Sequence, residues 1–151
     1  MDLEYSTLSQ NLNEQITKET RKNEGIYFTP ISCINKNIEL LKPYISNKKS
    51  YTILEPSCGS CEFILTLNKL YPKTMITGIE QNNDIYNSIE HLSSKNIKLI
   101  CDDFLKKDIT NKYDMIIGNP PYFVMKKGAV DNSYFEYFEG RPNIFILFMV
   151  K

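Results

Sequence analysis

The chain has no excess of charge. Its 18 basic and 18 acidic residues cancel to a formal net charge of zero over 151 residues. A free-standing DNA binder normally shows a basic face, so general attraction to phosphates is not the organising feature here. Long apolar runs are also missing. None exceeds the seven residues Ile144 to Val150, far short of a membrane span. The N-terminus has no apolar core of a secretory signal. A cytoplasmic chain with reduced thiols is expected. With one histidine, His91, and a single Cys-x-x-Cys pair, Cys58 and Cys61, no structural zinc site is expected. No internal repeat is visible, and the length suits one domain with a real core.

What is present is a set of short apolar runs, each ending at a polar or small residue. Tyr113 to Ile117 reads as a buried strand, with Gly118 as its turn. Directly behind it stands Asn119-Pro120-Pro121-Tyr122. Two prolines fix φ and remove two donors, so this loop is stiff and exposes its carbonyls as acceptors. An asparagine oxygen beside a backbone carbonyl can accept both hydrogens of one planar amino group. The neighbouring aromatic ring gives a flat heterocycle a stacking surface. Read structurally, the same tetrapeptide is an ordinary strand-to-loop turn.

Three upstream segments weigh against that bland reading. Tyr51 to Glu55 is β-rich and ends in an acid. The small-residue turn Pro56-Ser57-Cys58-Gly59-Ser60-Cys61 follows, then a helix spaced by Phe63, Ile64, Leu67 and Leu70. Strand, tight turn and helix N-terminus make a mononucleotide-binding layout, although one glycine is a weak fingerprint. A redox reading of the Cys-x-x-Cys pair at a helix N-terminus competes with it. Met75 to Glu80 is a second strand ending in an acid, 25 residues after Glu55. A carboxylate there can accept from two ribose hydroxyls, or can simply be solvated. Ile97 to Cys101 is a third strand, leading into Asp102-Asp103-Phe104.

The segment Gly25-Ile26-Tyr27-Phe28-Thr29-Pro30 precedes all of these. Thr29 and Pro30 read as N-cap and first-turn residue of a helix with apolar positions Ile31, Ile34, Ile38 and Leu41, stopping near Pro43. Residues 1–24 are polar with scattered Leu and Ile, and are expected as a loose helix or tail. His91, near Ile89 and Leu92, is expected half-buried. Residues 122–141 mix rings such as Tyr134 and Phe135 with Lys126 and Lys127, suited either to nucleic acid or to packing on the sheet.

Five of these segments, in this order over roughly residues 20–151, resemble the N6-adenine DNA methyltransferases of restriction-modification systems. Those enzymes are S-adenosyl-L-methionine-dependent amino-methyltransferases with [Asn/Asp/Ser]-Pro-Pro-[Tyr/Phe] after the fourth strand. The resemblance implies an α/β, Rossmann-like methyltransferase fold with a mostly parallel sheet of seven strands, of which four are counted here. It implies a cofactor loop at Glu55, Pro56, Ser57, Cys58 and Gly59, departing from the family at Cys61, where glycine is usual and a thiol would crowd the cofactor methionine. Glu80 would hold the ribose, Asp103 the cofactor's adenine amino group, and Phe104 its ring, with Asp102 a neighbour in solvent. Thr29 would cover the methionine end, and Asn119 would border both cofactor and acceptor. Asn119, Pro120, Pro121 and Tyr122 would form the catalytic loop for a flipped adenine in DNA.

The same loop occurs in methyltransferases of protein glutamine and of guanine in RNA, and the Gly25-to-Pro30 segment argues against both. From another class, an inactive cofactor-binding fragment or regulatory subunit fits the missing strands. Domain limits of 25–151 for the catalytic part, truncated C-terminally, follow from the resemblance. So does a further C-terminal portion or specificity subunit as partner.

Overall fold

The apolar runs become strands because each can bury both faces. In a computed structural model describing residues 4–151, Thr52–Glu55 (β1), Met75–Glu80 (β2), Ile97–Cys101 (β3) and Met115–Ile116 (β4) form one parallel sheet. The strand order is β3-β2-β1-β4. Ile53 lies opposite Ile76 on one side and Met115 on the other. Ile53, Leu54, Ile76 and Ile79 are almost wholly buried. Such two-sided burial is the mark of a central parallel strand. Parallel neighbours need crossovers, supplied by Glu62–Leu70 (α4) between β1 and β2 and by Asn83–Ile89 (α5) between β2 and β3. The chain winds outward from β1 to β3, then returns to place β4 on β1's other side. The carboxyl ends of β1 and β4 therefore diverge at a topological switch point, where a crevice forms.

Four more helices surround this frame. Ile31–Leu41 (α3) buries Ile34 and Ile38 against the sheet, as its apolar spacing predicts. Its start differs from expectation. Pro30 occupies the cap position and no side chain caps the helix, so Thr29 is free for another partner. Thr7–Gln15 (α1) and Lys18–Glu24 (α2) occupy the polar N-terminal segment, of which residues 1–3 lie outside the described residues. Side-chain caps at Ser6 and Thr17 start these two helices. Leu12 and Ile16 pack with Phe28 and Ile85, each such burial stabilising by about 1.5–3 kcal/mol. Ile144–Val150 (α6) turns Ile144 and Leu147 inward. His91 is exposed rather than half-buried, because Ile89 takes the inward position and a 3-10 turn at Glu90–Leu92 carries His91 out. Among the described residues, no helix is long and apolar enough to cross a membrane.

Candidate active site

The crevice at the strand ends holds a cleft of about 540 Å³. Its floor is the loop after β1, its sides the acids ending β2 and following β3, and its far wall α6. Pro56, Ser57, Gly59, Glu80, Asp103 and Phe104 all line it, so six expected cofactor residues from three separate loops meet in one space. The size lies within the usual range of small-ligand sites, roughly 300–1,000 Å³.

Glu80 is 8% exposed and well tied down. Its Oε2 accepts from the Gly59 N–H at 2.9 Å and its Oε1 from the Asn82 N–H at 2.8 Å. Burial raises its pKa, and these N–H bonds oppose the rise. Glu80 thus holds the glycine loop in place while retaining lone pairs toward the cleft. Asp103 caps its own turn by accepting from the Leu105 N–H at 3.0 Å, and pairs with Lys106 at 3.1 Å. Asp102 is not simply solvated. It pairs with Lys107 at 2.7 Å, and that bond holds its carboxyl below the usual range. The Phe104 ring is buried and lies 5.1 Å from the Phe148 ring of α6.

Cys58, Glu55 and Thr29 fall elsewhere. They border a recess of about 30 Å³ next to Asn119, not the main cleft. Glu55 is 2% exposed, and its Oε2 is buried with no partner among the described residues. Loss of water drives its pKa well above the ordinary value, and the nearby Cys58, Glu80 and Glu62 add to this. The Cys58 thiol, free like that of Cys61, points into the core beside Gly78, and a hydrogen bond with Cys61 together with burial pushes its pKa far up. This is the opposite of an activated redox thiol. Cys61 does not crowd the cleft either. Its side chain is fully buried in the core, while its backbone takes the left-handed φ of 62° that glycine would adopt freely.

The loop after β4 is held from three sides. Ser57 Oγ donates to the Asn119 carbonyl at 3.3 Å, and Asn119 Nδ2 donates to Thr29 Oγ1 at 3.2 Å. Thr29 is therefore a hydrogen-bonding neighbour of Asn119 rather than a helix cap. Gly25 caps α2 at φ 65°, and a Cβ there would lie 2.9 Å from the Tyr122 nitrogen. Gly118 takes no positive φ, and a Cβ there would meet Glu55 Cγ at 3.4 Å, an ordinary contact, so neither the backbone nor the space demands glycine. Asn119 and Pro121 also reach the main cleft, so both spaces meet at Asn119. Pro120 borders neither space. Tyr122 is 49% exposed, with its ring 5.6 Å from Phe145 of α6.

Of the aromatic run in residues 122–141, Phe123 and Tyr134 face the cleft, whereas Phe135 and Tyr137 are exposed. Val130, which also lines it, has no signal in the sequence reading. Phe148 was signalled by the spacing Ile144, Leu147, Phe148 on one helical face. Asn23 to Ile26 close the cleft from α2, and no periodic pattern announced them.

The model of the Eco57I restriction-modification methylase family matches residues 31–151. The chain belongs to this family. Among its relatives, the modification methylase CviBIII of Paramecium bursaria Chlorella virus NC1A is 30% identical over 98% of this chain. The type II methyltransferase M.CvrRI of Paramecium bursaria Chlorella virus XZ-6E is 34% identical over 82% of it. The Eco57I-family chain here spans 38% and 31% of the lengths of those two proteins. In structure it resembles coclaurine N-methyltransferase, solved with N-methylheliamine and SAH. That match has a TM-score of 0.50 and 18% identity, over 58% of this chain and 26% of the other. The architecture of the chain is accordingly the Rossmann-like fold of S-adenosylmethionine-dependent methyltransferases, with four parallel strands among the described residues.

Proposed function

We propose that this chain transfers a methyl group from S-adenosyl-L-methionine to N6 of adenine in DNA, as part of a restriction-modification system. The observation that carries this reading is the fixed orientation of Asn119. With Nδ2 donating to Thr29, the side-chain Oδ1 remains as an acceptor where the cleft and the recess meet.

The residues of the cleft fit the cofactor. Its volume of about 540 Å³ suits a nucleoside with an amino-acid tail. Glu80 keeps lone pairs for ribose hydroxyls, Asp103 offers an oxygen to the cofactor's adenine amino group, and Phe104 packs on its ring. When bound, the cofactor supplies an electrophilic methyl group. The protein's task is then to present a nitrogen lone pair. Asn119 Oδ1 and the Pro120 carbonyl accept the two amino hydrogens of a flipped adenine, which localises the lone pair on nitrogen. Tyr122 stacks on the base, supported from behind by Phe145. No strong general base is required, and positioning with electrostatic complementarity supplies the acceleration.

The chain's short span relative to its relatives supports a second element of the proposal. Efficient, sequence-specific methylation uses further protein, as a C-terminal portion or a partner subunit. The test is a labelled-methyl assay with this chain at substrate-level concentration, offered DNA, RNA and protein, followed by identification of the labelled product. Label at N6 of adenine, formed slowly, is the expected result. Label on guanine or on a glutamine amide would overturn the assignment.

A further inference from the structure

A second cavity of about 400 Å³ shares the segment Ile26-Tyr27-Phe28 with the cleft as a common wall. The rest of its lining is Tyr5, Asn13, Lys18, Arg21 and Lys22. Three cations and no carboxylate line it among the described residues. In a chain of zero net charge, that is a marked local concentration of positive charge. The acids of α2 do not offset it: Glu19 and Glu24 lie outside the lining, and Glu24 accepts from Asn82 Nδ2 at 2.9 Å.

The cations have spare donors. Lys18 and Lys22 are exposed and stand four residues apart on one face of α2. Arg21 is held by a 2.8 Å bond from Nη1 to Asn13 Oδ1, yet its Nε is buried with no partner among the described residues. A buried N–H without an acceptor is costly, and a guanidinium fork is shaped for the oxygens of a phosphate. Tyr27, 61% exposed, adds an aromatic face. Tyr27 and Phe28 also border the recess at Asn119, so the two spaces share this wall.

We infer that this cavity binds a backbone phosphate of the nucleic-acid strand whose base is presented at Asn119. A strand whose base is presented at Asn119 passes Tyr27 and Phe28, which border both the recess beside Asn119 and the basic cavity. The cavity then meets the adjoining phosphate with Lys18, Arg21 and Lys22. The inference rests on the reading of the acceptor as DNA. It also explains how a chain without net charge holds its substrate: charge is focused at one spot instead of spread over a face.

The test is fluorescence anisotropy of a short labelled oligonucleotide, over a salt series, with the full 151-residue chain. The variant Lys18→Gln/Lys22→Gln is compared with the distant, exposed pair Lys69→Gln/Lys95→Gln. The cavity pair is expected to weaken binding at least fivefold at low salt. It should also reduce the slope of log affinity against log salt by roughly two, while the distant pair leaves the slope near wild type. Affinity for S-adenosyl-L-methionine and urea midpoint should not change. An unchanged slope, an equal effect from the distant pair, or no oligonucleotide binding by the wild type would overturn the inference. Competition by inorganic phosphate or a mononucleotide as strong as by unlabelled oligonucleotide would assign the cavity to a free phosphate ligand, and overturn it too. If adenine is methylated but the slope is unchanged, this inference fails and the functional reading stands. A reduced slope without methyl transfer to adenine gives the converse.

Discussion

At the residue scale, two side chains under the cofactor loop carry strain that can be measured. Glu55 is buried with one oxygen unpartnered and its pKa raised by loss of water. The native state therefore keeps a proton that the unfolded chain releases near 4.5, and stability falls as pH rises from there toward the raised value. Glu55→Gln removes this slope. It should stabilise by about 1–3 kcal/mol at pH 8 and by little at pH 5, read from urea midpoints. An equal gain at both pH values would show that titration is not the cause. Cys61 holds a left-handed backbone at φ 62° with its thiol in the core. In an ordinary helix or strand, glycine is less stable than alanine by about 0.5–1 kcal/mol. Here Cys61→Gly should equal or exceed Cys61→Ala, because alanine keeps the strain of the left-handed region without filling the space. A clearly more stable alanine variant would contradict this. The left-handed turn could be anticipated, since relatives by resemblance favour glycine there. The thiol's inward direction could not, because the core around it is built with Ile34 and Ile76 from distant segments.

At the scale of elements, the N-terminal helices are fastened to the cofactor loop by a polar clasp. Ser9 of α1 is fully buried, and its Oγ lies 2.8 Å from Ser60 Oγ while donating to Glu62 Oε1 at 3.0 Å. Ser6, the cap of α1, also donates to Glu62. Ser9→Val fills similar space but strands these partners, so it should destabilise by about 1–3 kcal/mol and weaken cofactor affinity. A variant with wild-type stability by chemical denaturation would remove the clasp from the account. This contact explains why residues 4–24 were unreadable in sequence. Short polar helices owe their stability to tertiary packing, and Ser9 meets partners 51 and 53 residues away. The strands were legible for the opposite reason: local apolar runs ending in Glu55 and Glu80 carry their own signal. The helix α3 was legible in its apolar face and end. Its start was not, because Thr29 turns to Asn119, 90 residues away.

At the scale of the molecule, the main cleft, the recess beside Asn119 and the basic cavity share the wall Tyr27–Phe28. The loop after β4 is where the two halves of the proposed reaction meet. Asn119 borders both spaces; its backbone carbonyl is held by Ser57 of the cleft floor, while its side chain is held by Thr29, which does not line the main cleft. Removing its side chain should therefore affect the transition state far more than the bound cofactor. The decisive measurement is single-turnover methyl transfer to an adenine-containing oligonucleotide by Asn119→Ala, with cofactor affinity determined by calorimetry on the same preparation. The account predicts a rate reduced by about 10²–10³-fold, on the scale of a lost preorganised polar contact, with cofactor affinity within a few-fold of wild type. A variant that retained most of its rate, or that lost cofactor binding in proportion to rate, would contradict it.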